Sequence, residues 1–364
     1  MAETRTAGTL RLPAPCAELA ARVDRELTRF VAEQREAMAG HGPGVGALFE
    51  ELERVIGAGG KRLRPVFCCL GHLAAGAEVN ERCIRAAAAL ELLHTFAIVH
   101  DDVMDRSPSR RGSPASWVHL AEQHRAAGWV GDPGGYGLAA AVLAGDMALV
   151  LADRALLGSG LPQDRLLPAL RRYDRMRVEV VAGQFLDVMA AHRGSADQAE
   201  ARRIAVLKSG GYTVEAPVQI GAILGGGTER LLVCLSEYGV ALGEAFQLRD
   251  DVLGVFGDPA VTGKDRDSDL REGKRTVLLE KAIAGARGAD RRFLEERIGR
   301  PRLGDPEVER ARRLLESTGA LDATLALIDD LVARARDGVD PKVVPEPAAS
   351  LLVEMADVVA VRRL

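Results

Sequence analysis

The chain has 364 residues, of which 47% are hydrophobic and 27% are charged, and its formal net charge at pH 7 is -4. This balance is ordinary for a globular protein, and the length suffices for one large domain or two average ones. The small negative charge excludes a general basic surface, so we expect no nucleic-acid partner. Aromatic residues make up only 4% of the chain, while Ala, Leu and Val are abundant. That bias favours helices over strands.

The five cysteines form no Cys-x-x-Cys pair, and we interpret them as buried thiols in a reducing compartment. The first residues include an early acid and no apolar run, so they do not resemble a signal peptide. The most apolar stretch, 138–151, is interrupted by Asp146 and is too short to cross a bilayer. We therefore expect a cytoplasmic protein with no membrane span.

The first residues and the rest of the chain differ in pattern. Residues 1–18 contain Pro13 and Pro15 and are predicted to form a flexible N-terminal tail. From residue 19 to residue 364 helical periodicity dominates, with long Ala- and Leu-rich runs and no strand-like alternation of useful length. No shift in composition marks a domain boundary. The sequence therefore predicts an all-α fold with a single large helical bundle domain over 19–364.

The first Asp-rich segment, 101–105, lies at the end of an apolar run. Asp101 and Asp105 are four positions apart, so on a helix they share one face, where two like charges are destabilising. They also lie at a C-terminal helix end, where the helix dipole disfavours anions. A magnesium ion would reverse both effects, because it binds through one or two carboxylates plus substrate phosphates. The alternative interpretation is a solvated acidic helix end.

A second acidic pair, Asp250 and Asp251, ends another apolar run. Like the first segment, it is followed by a polar loop that contains basic residues. Two such clusters, each at a helix end and each before a basic loop, are poorly explained as surface decoration. We therefore predict that both segments hold magnesium, with Asp102 and Asp251 in supporting roles.

Three groups of cations accompany the acids. Arg offers a planar fork for phosphate oxygens and Lys a point charge, so we interpret these groups as diphosphate sites. One kind of anion site would need metal and the other would use side-chain cations alone, which indicates two phosphorylated substrates. The candidate cations are Lys61, Arg62, Arg64, Arg110, Arg111, Lys208, Lys264 and Lys274.

Six stretches together resemble the trans, or head-to-tail, isoprenyl diphosphate synthases, most of all those that form geranylgeranyl diphosphate. They have the order and the spacing typical of that family, and their combination is far more specific than any one of them. The stretches are GGKRLRP at 59–65, HTFAIVHDDVMDRSPSRRG at 94–112, EVVAGQFLD at 179–187, LKSGGYT at 207–213, FQLRDDVLGVFGD at 246–258 and TGKDRDSDLREGK at 262–274.

This resemblance implies an all-α fold around a central cavity and a chain that forms a homodimer. It also implies a magnesium-dependent prenyltransferase that couples isopentenyl diphosphate to an allylic diphosphate and releases pyrophosphate. Three magnesium ions per active site are implied, two bound by Asp101 and Asp105 and the third by Asp250. These acids, together with Lys208 and Lys264, would be the catalytic residues.

The same resemblance assigns the other residues of the site. Isopentenyl diphosphate is expected to contact Lys61, Arg64, His94 and Arg111. The allylic diphosphate is expected to contact Arg110, Lys208, Ser209, Gln247, Lys264 and Lys274. Gln184 and Asp187 match a pair that lies beside the metal-binding acids.

Two features bear on the product and on the second acidic pair. Phe96 and Ala97 lie five and four residues before Asp101. An aromatic and a small residue in these places resemble the family's pattern for geranylgeranyl diphosphate as product. Gly254 stands where many relatives have a third Asp, so we expect altered metal affinity there and tolerance of the change Gly254→Asp.

Other functions remain as alternatives. A farnesyl or a longer-chain polyprenyl diphosphate synthase would use the same residues and release a different product. A class I terpene cyclase shares the two metal motifs but has no use for Lys61 and Arg64, because it binds no second diphosphate. A non-catalytic partner subunit would have lost acids, and Gly254 marks one such loss.

Overall fold

The computed structural model describes residues 11–257, 267–300 and 303–360. These residues are mostly helical, and the all-α prediction is confirmed. Among them, one short antiparallel hairpin pairs β1 (Ser109–Arg110) with β2 (Ser113–Pro114). The chain clusters into an N-terminal unit, Ala14–Cys69 with Glu78–Leu166, and a C-terminal unit that includes Leu70–Ala77 and the chain from Leu167 onward. The single domain over 19–364 stays a prediction.

The N-terminal unit contains the first Asp-rich segment. Its helices are α1 (Ala14–Met38), a short 3-10 turn (Ala39–His41), α2 (Pro43–Gly57), the start of α3 (Leu63–Ala74), α4 (Glu81–Met104), α5 (Ser116–Ala126) and α6 (Pro133–Leu157).

Helix α1 begins inside the segment that the sequence predicts to be a tail. Its first residue is Ala14, and Cys16 is already fully buried. Pro15 lies in the first turn, where a helix does not need the N–H that proline lacks. The prolines therefore mark a helix start, and the ordered chain begins earlier than the predicted boundary at residue 18.

Helices α4 and α6 pack against each other along much of their length. Asn80 caps α4 by accepting the backbone N–H of Arg82 at 3.0 Å, and the Asp132 carboxylate caps α6 in the same way. Small side chains on α6 let the two backbones approach closely. Those that are buried include Ala140, Ala141, Ala144, Ala148 and Ala152.

The C-terminal unit contains the second acidic pair. Its helices are α7 (Gln163–Arg193, mostly in this unit), α8 (Gln198–Ala205), a π-helix (Val206–Glu215), α9 (Ala216–Gly225), α10 (Glu229–Phe256), α11 (Ser268–Glu272), α12 (Val277–Gly285), α13 (Gly288–Arg297), α14 (Asp305–Ser317), α15 (Ala320–Asp337) and α16 (Ala348–Ala360).

The ten-residue π-helix is unusual, because such segments are normally single-turn bulges and are frequent at functional sites. Its backbone lies directly against α7, where a Cβ at Gly183 would come closer than 3.0 Å to the backbone of Lys208. Glycine on α7 therefore permits the wide helix to pack there, and this contact fixes the backbone that carries Lys208.

Among the residues that the structure describes, three helices, α4, α6 and α10, are long and apolar enough to cross a membrane by length and composition alone. The apolar stretch 138–151, which the sequence analysis considers too short to cross a bilayer, is only part of α6. The whole helix has 25 residues. In α4 and α10, 67% of the most apolar window is buried within the protein, and in α6 the share is 44%. The absence of a membrane span stays a prediction.

Candidate active site

The first Asp-rich segment ends α4 as predicted. Asp105 is the C-terminal cap of this helix, and its backbone N–H donates to the carbonyl oxygen of Asp101 at 2.8 Å. One helical turn therefore separates the two residues, which places them on the same face. The Asp101 side chain is 19% exposed, whereas that of Asp102 is 4% exposed.

Arg110, on the adjoining hairpin, forms ion pairs with two of these acids. Its Nε donates to both carboxylate oxygens of Asp102, at 2.8 and 2.9 Å, and its Nη2 lies 3.1 Å from Asp101 Oδ2. Burial by itself would lower the pKa of Arg110, but the attraction of Asp102, Asp101 and Asp105 outweighs burial and raises it. Asp102, which the sequence predicts to support the metal, thus has both carboxylate oxygens hydrogen-bonded to Arg110. These contacts hold the Arg110 guanidinium beside the acids.

A second cation from the hairpin, Arg111, faces the glycine-rich turn before α3. Its Nη1 donates to the carbonyl oxygen of Gly59, and its backbone is left-handed, with φ 54°. An ideal Cβ at Gly60 would lie 3.2 Å from the Arg111 guanidinium, so glycine gives the arginine its space. Burial lowers the pKa of Arg111, and the nearby Arg62, Arg110 and Arg64 lower it further against the opposite effect of Glu91.

Arg62 has a role that the sequence did not predict. This residue is buried, and its guanidinium donates to Asp24 Oδ1 at 2.6 Å, Glu91 Oε1 at 2.7 Å and the Ile56 carbonyl oxygen at 2.7 Å. It therefore holds the turn between α2 and α3 to α1 and α4. No local signal could have distinguished it from Lys61 or Arg64, because two of its partners lie 29 and 38 residues away.

His94 lies on α4, close enough to these arginines for their positive charges to affect its pKa. Burial lowers its pKa well below the usual range, and repulsion from Arg64, Arg111, Arg110 and Arg62 lowers it further. The imidazole is therefore neutral near pH 7, with one ring nitrogen as donor and the other as acceptor. His94, Arg64 and Arg111 are therefore close enough to interact electrostatically, and their role in binding isopentenyl diphosphate stays a prediction.

In the C-terminal unit, Lys208 projects from the π-helix to α7. Its Nζ lies 2.6 Å from Asp187 Oδ2, so a predicted diphosphate ligand and a predicted neighbour of the metal-binding acids form an ion pair. Ser209 follows on the π-helix, and Gln184 precedes Asp187 by one helical turn on α7; both are partly buried. The ion pair joins the two segments, and the roles of these residues in binding stay predictions.

The second acidic pair is unequal. Asp250 is partly exposed, whereas Asp251 is buried and accepts a hydrogen bond from Gln247 Nε2 at 2.7 Å. Burial, followed by the negative charge of Asp269, raises the pKa of Asp251 to about 8. This raised pKa makes Asp251 harder to ionise than an ordinary carboxyl, and Asp250 is the more accessible of the two.

Asp269, on α11, was not predicted, and it occupies the place opposite Gly254. An ideal Cβ on Gly254 would lie closer than 3.0 Å to Asp269 Oδ2. Lys274 Nζ lies 3.6 Å from Asp269 Oδ1 and 2.9 Å from Glu272 Oε2. The missing third Asp of the motif thus coincides with a carboxylate supplied from another helix. Lys264 lies outside the described residues.

The first acidic segment is compatible with magnesium. Its partly exposed carboxylates are hard oxygen ligands, and Mg²⁺ takes only one or two of them and completes its octahedron with phosphate and water. No group of three or more His, Cys, Asp and Glu side chains suited to a metal occurs within the described parts of the chain.

Comparison with known proteins places the chain in a family. The polyprenyl synthetase family model matches residues 46–315. Geranylfarnesyl diphosphate synthase of Aeropyrum pernix is 35% identical over 287 residues, 78% of this chain and 84% of that protein. Geranylgeranyl pyrophosphate synthase of Geoglobus acetivorans is 32% identical over 85% of this chain and 89% of its own length.

A solved structure agrees closely with this fold. The geranylgeranyl pyrophosphate synthase of Corynebacterium glutamicum, crystallised with isoprenyl diphosphate and magnesium, has a TM-score of 0.91 and 34% identity. The match covers 95% of this chain and 99% of that one. The chain belongs to the polyprenyl synthetase family and is a prenyltransferase, which confirms the family resemblance of its motifs.

The neighbouring cations Lys61 and Arg62 are expected to respond differently to removal. Arg62→Ala leaves the buried Glu91 without its hydrogen-bonded counter-ion and should lower the free energy of unfolding by about 3–5 kcal/mol. Lys61→Ala removes a partly exposed cation, so it should lower the free energy of unfolding by less, and it should weaken isopentenyl diphosphate binding. Urea unfolding and calorimetric titration measure the two effects. Equal losses of stability in both variants would contradict the assignment.

Gly254→Asp is now expected to be unfavourable, because its side chain must displace the buried Asp269 and adds a fourth nearby acid. We expect a loss of about 1–3 kcal/mol in the free energy of unfolding without metal. Adding Asp269→Ala should restore much of it, since the carboxylate then has room. Urea unfolding of the single and double variants measures this; an unchanged single variant would refute the steric argument.

Proposed function

We propose that this prenyltransferase joins isopentenyl diphosphate head to tail to allylic diphosphates, releases pyrophosphate and forms mainly geranylgeranyl diphosphate. The observation that carries the proposal is the acid pair Asp101 and Asp105 at the end of α4, with Arg110 bonded to the same segment. This combination supports one diphosphate bound through metal. The separate cluster of Arg64, Arg111 and neutral His94 supports a second diphosphate bound without metal.

Electrostatics are the main contribution of the chain to this reaction. Breaking the allylic C–O bond leaves a carbocation and a pyrophosphate, so the site must stabilise negative charge that develops on oxygen. Arg110 stays charged and fixed by Asp102 and Asp101, and Lys208 is oriented by Asp187. Neither side chain needs to reorganise much when that charge appears, which is the basis of electrostatic preorganisation.

Divalent metal is the proposed cofactor. Magnesium, when bound, neutralises and orients diphosphate oxygens. We propose three ions per active site, two held by Asp101 and Asp105 and one by Asp250. The magnesium and isoprenyl diphosphate in the similar structure from Corynebacterium glutamicum support this proposal. The burial and the raised pKa of Asp251 support the partly exposed Asp250 as the ligand of the third ion.

The product assignment depends on Phe96 and Ala97. Both residues lie on α4 about one helical turn before Asp101 and are partly buried. An aromatic ring at this depth would limit the growing chain. Similar proteins that make geranylgeranyl diphosphate support the assignment, while the geranylfarnesyl enzyme keeps a longer product as the alternative.

Oligomer and location are further proposals. We propose a homodimer that uses the exposed apolar side chains of α6, namely Val142, Leu143, Val150 and Leu157. Exposed apolar side chains clustered on one helix are typical of a protein–protein interface. We also propose a cytoplasmic location, which the five free and buried cysteines support.

Product analysis tests the function directly. The protein with magnesium, isopentenyl diphosphate and a geranyl or farnesyl starter should release pyrophosphate and geranylgeranyl diphosphate, identified by mass spectrometry. Asp101→Asn should lower turnover by more than about 100-fold, since even the partners of metal ligands contribute 10- to 100-fold. The exposed Asp330→Asn on α15 is the control. Turnover without isopentenyl diphosphate would indicate a terpene cyclase, and complete inactivity a partner subunit.

Sedimentation equilibrium tests the dimer. The native chain should sediment with twice its monomer mass, and Leu143→Glu should shift it toward the monomer, because a buried charge without a partner is strongly unfavourable. Val130→Glu, at a residue that is 96% exposed outside α6, is the control. A monomeric native protein, or an Leu143→Glu variant that dimerises as well as the native chain, would refute the proposed interface.

A further inference from the structure

The ring of Phe96 is in contact with a second ring on the same helix. Phe96 and His100 are four residues apart on α4 and so lie on one face. Their ring centroids are 4.7 Å apart with an interplanar angle of 62°, an edge-to-face arrangement. Such geometry is favourable and directional. The imidazole therefore borders Phe96 on the side toward Asp101.

His100 is itself held by a glycine on α6. An ideal Cβ at Gly145 would lie closer than 3.0 Å to both Cδ2 and Nε2 of the imidazole. The ring thus occupies the volume that any side chain at residue 145 would fill. Its Nε2 also lies 3.0 Å from the Val142 carbonyl oxygen and 3.6 Å from Asp146 Oδ1. The backbone of α6 therefore fixes the imidazole in position and in orientation.

The imidazole is mostly enclosed, because its side chain is 21% exposed. Ala141, one helical turn before Gly145 on α6, is fully buried. Protein interiors are packed so closely that a displaced side chain must displace its neighbours in turn. A shift of the His100 ring would therefore be transmitted to Phe96, which is the residue in ring contact with it.

We propose that His100 is a positioning residue which, seated on Gly145, fixes the ring of Phe96 and so sets the length of the product. The proposal rests on the proposed function, in which Phe96 limits chain growth. Gly145 leaves the space that holds the His100 ring. The His100 ring keeps the Phe96 ring in place, and Phe96 contacts the growing chain. Removing the imidazole lets Phe96 rotate into the vacated volume, and filling the seat with a methyl group expels the imidazole.

The experiment compares product distributions at equal conversion. The variants are Phe96→Ala, His100→Ala, Gly145→Ala and the double variant Gly145→Ala with His100→Ala. Two controls make the same chemical changes where there is no seat. His192→Ala removes an exposed helical histidine whose ring also bonds a backbone carbonyl, and Gly46→Ala adds a methyl group at a helical glycine with open space around it.

His100→Ala should raise the ratio of longer products to the main product on the order of tenfold, as a released rotamer preference allows. Phe96→Ala should raise it at least as much, and the two controls should leave it unchanged. Gly145→Ala should alter the ratio when His100 is present and have no further effect when His100 is absent. This non-additivity is specific to the seat, because a general structural defect would add in both backgrounds.

The outcomes separate the two proposals. If Phe96→Ala lengthens the product and His100→Ala does not, the positioning role is refuted and the proposed function stands. Equal effects of Gly145→Ala in both backgrounds would refute the seat. Failure of Phe96→Ala to change product length would overturn both the role of Phe96 and this inference. If Gly145→Ala does not fold, His100→Ala alone decides the positioning role.

Discussion

The bidentate contact between Arg110 and Asp102 is the interaction on which the N-terminal part of the site depends. The end of α4 carries three acids where the helix dipole already disfavours negative charge. Arg110 neutralises part of that charge from the adjoining hairpin, with N···O distances of 2.7 to 3.1 Å. The same contact anchors β1, and with it Arg111. A structural ion pair thus places both the acids and the cations.

The same principle of local charge balance governs the C-terminal unit, with different solutions. Lys208 forms an ion pair with Asp187. Burial beside Asp269 raises the pKa of Asp251, so this carboxyl is harder to ionise. Each arrangement lowers the cost of collecting charges in one place before any ligand binds. Asp250 is left as the partly exposed acid, which accounts for the inequality within the pair and makes the absence of a carboxylate at Gly254 less consequential.

Glycines decide where the backbone or a ring can come close. On α7, Gly183 admits the π-helix that carries Lys208, and on α6, Gly145 admits the imidazole of His100. Both positions lie within helices, where glycine is intrinsically unfavourable relative to alanine. The close approaches compensate for that cost. Packing of this kind makes the position of Lys208 and of the His100 ring depend on glycines of a neighbouring helix.

The sequence by itself determined the helical class and the family, and it predicted the residues of the candidate site. Periodicity predicts helices locally, and the i, i+4 spacing of Asp101 and Asp105 requires only that one helix forms. Tertiary structure decided how several side chains that look equivalent in the sequence differ in burial and in contacts. Arg62 is buried in ion pairs while Lys61 is partly exposed, and Asp269 faces Gly254, because their partners come from distant segments. Charge and close packing depend on the neighbours that folding provides, and local pattern does not contain them.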